Sequence, residues 1–130
     1  MTGNDDLAWF GILIVEDDPL LLIDAMDMAE DAGFTAYAAR NADEAIERMR
    51  NHADIRILFT DVDMPGSMDG LKLAHYVRDR WPPVEIIVVS GLRHISLEEM
   101  PASSLFFAKP YPQKPLLDAF AGAVSRAAAI

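Results

Sequence analysis

Four apolar runs in this 130-residue chain each lead directly into residues capable of polar chemistry. "FGILIV" (10–15) is followed by Glu16, Asp17 and Asp18, and "IRILFT" (55–60) by Asp61 and then Asp63. "VEIIVVS" (84–90) ends in Ser90, and "SLFFA" (104–108) precedes Lys109-Pro110. If the first and third runs are neighbours, three or four carboxylates crowd together. Two such charges about 4 Å apart repel by about 4 kcal/mol at an effective dielectric of 20. Either one carboxyl keeps its proton or a cation sits among them. Hard oxygen donors with few fixed contacts suit Mg²⁺, with Mn²⁺ as its substitute. A lysine ammonium and a serine hydroxyl opposite the metal supply what is needed to hold a phosphoryl group on Asp61.

Each residue also has a plainer role open to it. Asp18 precedes Pro19 and reads as a helix cap, and Asp63 can shape the turn before Met64-Pro65. A strand-end serine commonly serves a turn, and a single lysine is commonly solvated. All of them falling at one edge of one sheet favours chemistry.

The elements that would position these residues alternate regularly. Strands are expected at 10–15, 34–39, 55–60, 84–90 and 104–108, each short and rich in β-branched or aromatic residues. Asp18-Pro19 and Gly33 bracket a helix over 19–32, and Asn41 with Glu44 starts another that reaches about Asn51. A third spans Met68 to Trp81, where Pro82-Pro83 forbids continuation, and the last runs from Pro115 to the carboxyl end. The segment 91–103 has room for a short or irregular helix only, before Pro101. Five strands alternating with five helical stretches imply an α/β doubly wound parallel sheet with right-handed crossovers. Ligands of such sheets sit beyond the strands' carboxyl ends, at the point where strand order reverses. No repeat, low-complexity tract or linker interrupts the chain, so residues 1–130 are expected to form a single domain.

Composition narrows the possibilities. At 52% hydrophobic and 25% charged, the chain is ordinary for a globular protein, the polar start "MTGNDD" aside. It has no cysteine, which excludes disulfides, zinc-thiolate sites and thiol catalysis. Eleven basic against 21 acidic residues leave a net charge of −10, which disfavours direct binding to nucleic acid. No apolar run approaches the ~18 residues of a membrane helix. The amino end has no Lys or Arg before Arg40 and does not resemble a signal peptide. A cytoplasmic protein without membrane association is the expectation.

"ILIVEDDP", "LFTDVDMPGSMDGLKLA", "IIVVSG" and "FFAKPY" together resemble the receiver domain of two-component response regulators, in the single-domain form of chemotaxis regulators. The resemblance runs from about Ile12 into the final helix. It implies the flavodoxin-like strand order 2-1-3-4-5 and a role for each matching residue. Asp61 is the phosphoacceptor. Glu16 and Asp17 match the family's acidic pair for Mg²⁺, joined by Asp61 and the backbone carbonyl of Asp63. Ser90 matches the switch hydroxyl, Gly91 the small residue after it, and Lys109 the lysine that pairs with the phosphoryl group. Phe106 falls at the switch aromatic, without the hydroxyl a tyrosine would offer. The Lys109-Pro110 peptide is cis in the family. The implied function is a signalling phosphoacceptor rather than an enzyme, although members assist their own phosphorylation and dephosphorylation. Its implied partners are a sensor histidine kinase or a histidine phosphotransfer protein, a downstream protein and, for some members, a second copy as homodimer.

Two features depart from the pattern. Ser67 is a one-residue insertion in the usual "MPGMDG" turn. The interval from Ser90 to Lys109 is short, which stunts the fourth helix, part of the face through which many receivers dimerise. A rival reading takes "LFTDVD" as the nucleophile motif of haloacid-dehalogenase-type phosphatases, with Ser90 and Lys109 imitating that family's later motifs. It leaves "EDD" without a role and lacks the late acidic pair, since Asp118 is the only acid after Lys109. A receiver that has lost its chemistry and serves only as a binding module is the third possibility.

Elsewhere, Leu117, Phe120 and Val124 form an apolar stripe expected to pack in the core, beside an Ala-rich face (Ala119, Ala123, Ala127) that is either filler or a contact surface. Asp24, Asp27 and Asp31 line one side of the first helix, either as a solvated face or as a docking edge for a basic partner. The three histidines are scattered without ligand spacing, and His94, near Ser90, reads as a surface residue. If this is the natural chain, its last helix runs to the end and action through another protein is expected.

Overall fold

The computed structural model of the chain describes residues 10–91 and 94–128, with side chains as far as Arg126. "MTGNDD" and Ala127 of the Ala-rich face therefore lie outside the described positions or side chains. Five strands, β1 (Gly11–Val15), β2 (Thr35–Ala39), β3 (Ile55–Asp61), β4 (Glu85–Ser90) and β5 (Ser104–Ala108), form one parallel sheet in the order β2-β1-β3-β4-β5. Its crossovers carry α1 (Pro19–Asp31), α2 (Ala42–Asn51), α3 (Gly70–Arg80) and, after β5, α4 (Gln113–Ala128). This is the flavodoxin-like doubly wound architecture.

Strand side chains alternate between two cores. Leu13, Val15, Leu58, Ile86 and Val88 pack with α2 and α3, through Ala45, Met49, Leu73 and Val77. Ile12, Ile14, Phe59, Ile87 and Val89 pack with α1 and α4, through Leu22, Ala25, Leu116 and Phe120. Phe120 stands edge-on to Phe34 and Phe59, with centroids 5.8 Å away in both cases, the offset geometry aromatic quadrupoles prefer. In α4 the buried stripe is Leu116, Phe120 and Ala123, with Leu117 and Val124 half-buried beside it. Ala123 is thus core, which removes it from the proposed contact face.

The helix ends follow from local chemistry. Asp18 caps α1 by accepting the N–H groups of Leu20 (2.9 Å) and Leu21 (3.2 Å). Gly33, at φ +99°, closes α1 in a Schellman motif, donating to the Glu30 carbonyl while Phe34 N–H reaches that of Ala29. Asn41 caps α2 at the Glu44 N–H, and Glu44 in turn accepts from Arg40 rather than from Asn41 itself. For α3 the cap is Asp69, bonded to Lys72 N–H at 2.9 Å, so the helix begins at Gly70 instead of Met68. Trp81 ends it ahead of the two prolines.

The fourth crossover is short and irregular, as expected. Among its described residues there is only a 3₁₀ turn, Leu97–Glu99, so the described residues form four α-helices and this turn in place of the fifth helical stretch. Ile95 and Met100 drop from this segment into the core. Neighbouring α3 holds it from the side: His75 Nε2 donates to the Glu99 carbonyl at 2.8 Å, and Arg78 Nε to that of Ala102 at 3.0 Å.

Candidate functional site

The carboxyl ends of β1, β3, β4 and β5 converge at one edge of the sheet. Parallel pairing sets Val15 beside Thr60, Asp61 beside Val89, and Ser90 beside Ala108, so Glu16, Asp61, Ser90 and Lys109 fall within two residues of one level. Glu16, Asp17 and Asp61 offer carboxylate oxygens that all lie within 4.8 Å of one another. Asp61 is 4% exposed, Glu16 is buried, and Asp17 is half-buried.

Lys109 faces this trio. Its Nζ donates to Glu16 Oε1 at 2.7 Å and lies 3.4 Å from Asp61 Oδ1. The other Glu16 oxygen accepts the Asp18 N–H at 3.1 Å, which ties the acidic pair to the start of α1. Burial is the main force on Asp61 and raises its pKa from 3.8 to about 6, with the Glu16 charge acting in the same direction. The Lys109 charge and the Asp63 backbone N–H oppose the rise without cancelling it. Burial would lower the Lys109 pKa, but its hydrogen bond to Glu16 and the charges of Asp61 and Glu16 outweigh that and raise it.

Asp61 Oδ1 is buried and makes no hydrogen bond of good geometry, and Lys109 Nζ, 3.4 Å away, meets it only as an ion pair. Such an atom costs free energy unless something else satisfies it. Glu16, Asp17 and Asp61, each offering one hard carboxylate oxygen within 4.8 Å of the others, fit a small divalent cation better than they fit one another.

Ser90 is 2% exposed, and its Oγ donates to Asp63 Oδ2 at 2.7 Å. The Asp63 carboxylate is therefore engaged with Ser90, while its backbone N–H supports Asp61. Gly91 lies against the Lys109 stem; a Cβ on it would meet Lys109 Cβ at 3.2 Å. The Lys109-Pro110 peptide is cis, and Lys109 N–H donates to the Ser90 carbonyl at 2.9 Å. Phe106 is half-buried on β5 against the core shared with α2 and α3, away from the carboxylates. His94 is exposed.

Three further residues shape the site. A Cβ on Gly70 would overlap the Asp61 carbonyl oxygen and stand 2.6 Å from its carbonyl carbon, so only glycine lets α3 start this close behind β3. The signal was present in "MDG", but the contact is tertiary. Ser67, the inserted residue, donates to Asp43 Oδ1 at 2.7 Å and anchors the β3–α3 loop to the first turn of α2. Tyr111 lines an open groove of about 630 Å³ together with Glu16, Leu21, Asp24, Asp27 and Lys109.

A doubly wound sheet whose acids and lysine meet at the strand carboxyl ends defines the class of protein. The family model described as the response regulator receiver domain matches residues 12–120, and the chain belongs to that family. It is 31% identical over 105 residues to the nitrogen assimilation regulatory protein NtrX of Azorhizobium caulinodans and 30% identical over 110 residues to the sensor protein TorS of Escherichia coli. These matches cover 80% and 81% of this chain but only 22% of NtrX and 12% of TorS. The response regulator receiver protein CpdR of Brucella abortus is 27% identical, with 82% of this chain and 90% of CpdR covered. Among solved structures, a response regulator receiver protein from Sinorhizobium medicae superposes with a TM-score of 0.80 at 28% identity, covering 89% of this chain and 94% of its own. TrrA of Thermotoga maritima, in complex with Mg²⁺-BeF, shares the fold with a TM-score of 0.80 at 22% identity, covering 88% and 98%. Family membership sets aside the phosphatase reading of "LFTDVD".

Proposed function

We propose that this chain is a working phosphoacceptor in histidine-to-aspartate signalling, with Asp61 as the residue modified. The observation that carries this reading is the buried Asp61 carboxylate, set between two further acids and Lys109, with one oxygen held by the lysine charge alone.

In this reading an Asp61 oxygen attacks the phosphorus of a phosphohistidine or of acetyl phosphate. The P–O bond to Asp61 forms as the P–N or P–O bond to the donor breaks, and the leaving imidazole or acetate departs with the electron pair. Glu16, Asp17, Asp61 and the Asp63 carbonyl would hold Mg²⁺ or Mn²⁺, which supplies positive charge to the transferring oxygens. Lys109 contributes a second cation from the opposite side, and the Ser90 hydroxyl a hydrogen bond to a phosphoryl oxygen. Gly91 leaves room for the Lys109 stem, and Phe106 responds through packing alone. Phosphorylation then alters binding to a downstream protein, or the phosphoryl group passes to the next carrier. Its donor is a sensor histidine kinase or a histidine phosphotransfer protein in the cytoplasm.

Intact-protein mass after incubation with acetyl phosphate tests this. A gain of one phosphoryl group that needs Mg²⁺ and is lost in Asp61→Asn is expected. No gain under any condition would leave a binding module, and sustained consumption of the donor with little retained phosphoryl group would mean rapid self-dephosphorylation.

A further inference from the structure

We propose that the Asp63 side chain is a latch on the phosphorylation switch, holding the Ser90 hydroxyl until a phosphoryl group displaces it. This rests on the phosphoacceptor reading and adds a regulatory residue to it. A serine hydroxyl has one proton to donate. In this structure that proton goes to Asp63 Oδ2, over 2.7 Å and with Ser90 almost fully buried. A phosphoryl oxygen on Asp61 that uses the same proton must first take it from a carboxylate. Charge-assisted hydrogen bonds of this length are among the stronger ones in proteins.

The backbone makes Asp63 well placed for the role. Its N–H supports the Asp61 carboxylate while its side chain reaches Ser90, so one residue contacts both the acceptor and the switch hydroxyl. The Asp63 carboxylate also adds negative charge where an anionic phosphoryl group would arrive. Both effects favour the unphosphorylated state. Half-buried Asp63 can turn to solvent when its partner leaves. Asp63 is a positioning residue acting through Ser90.

The test is the affinity for beryllofluoride with Mg²⁺, measured by titration calorimetry on the parent, Asp63→Ala, Ser90→Ala and the double variant. Asp63→Ala should bind beryllofluoride about tenfold more tightly than the parent, the worth of one charge-assisted hydrogen bond. In the Ser90→Ala background the same change should gain much less, because no hydroxyl remains to be released. An equal gain in both backgrounds would reduce Asp63 to a simple charge effect and overturn the latch. So would a parent-like or weaker affinity of Asp63→Ala. Asp63→Asn, which keeps the shape and weakens the acceptor, should gain about threefold and carries the same comparison if the alanine variant loses its fold. A parent that neither binds beryllofluoride nor gains phosphoryl mass would overturn the phosphoacceptor reading and the latch together. Normal parent binding with no coupling would remove the latch alone.

Discussion

Asp61 stabilises the fold least when its carboxylate is ionised. Its folded-state pKa of about 6 stands above the ordinary 3.8, because burial disfavours the carboxylate. The folded chain therefore holds a proton that the unfolded chain has lost between those values. The penalty is absent below about pH 4, grows as pH rises through the window and is complete above it. At 1.36 kcal/mol per unit the full penalty is about 3 kcal/mol. Asp61→Asn, which cannot ionise, should exceed the parent in stability by up to that amount at pH 7.5 without divalent cation, and by roughly half of it at pH 5. Urea unfolding at the two pH values measures both differences, and a pH-independent gap would sink the assignment. The acids and the lysine could be picked out one by one from their positions at strand ends. Which partner each takes could not. Ser90 and Asp63 are 27 residues apart in the chain, and their bond exists only because β3 and β4 pair in register.

At the scale of elements, local signals carried most of the architecture. Asp18, Asn41 and Gly33 act where their backbone preferences place them, and strands that are apolar throughout lie in a sheet covered on both faces. The last helix starts at Gln113, two residues before Pro115, because a proline fits anywhere in a first turn whose N–H groups lack helical partners. The fourth crossover was legible as short, but not as a 3₁₀ turn supported from outside. Its support is Arg78, whose guanidinium donates to four carbonyls: Pro82 (2.7 Å), Val84 (2.9 Å), Ala102 (3.0 Å) and Ser103 (3.4 Å). One side chain thus ties the end of α3 to the entries of β4 and β5. Such long-range bonds to loop carbonyls leave no periodicity in a sequence. Arg78→Ala should cost about 2 kcal/mol of stability and speed amide exchange across 94–103. Lysine at this position should fail to restore either, because an ammonium cannot span carbonyls arranged for a planar fork. Full rescue by Arg78→Lys in urea unfolding and hydrogen exchange would contradict the staple.

For the molecule as a whole, the net charge of −10 is unevenly placed. Asp24, Asp27 and Asp31 line the groove that opens from Glu16 and Lys109 along α1, and Leu20, Leu21 and Ile23 stand exposed on the same helix. Periodicity in the sequence puts the three acids on one side of α1, but the groove forms only because α1 and the β5–α4 connection meet in space. Acids and apolar side chains around one open channel suit a partner helix that carries both basic and apolar residues, and charge of this kind acts mainly on the rate of encounter. Replacing the three aspartates with asparagine should therefore slow phosphotransfer from a histidine phosphotransfer domain that phosphorylates the parent chain. About a tenfold loss is expected at low ionic strength, shrinking towards parity near 1 M salt, where the Debye length falls to about 3 Å. Labelling by acetyl phosphate, which needs no docking surface, should keep the parent's rate at every salt concentration. Equal loss with both donors would mean that the substitutions disturb the site itself. No loss with either would leave the acidic side of α1 as solvated surface.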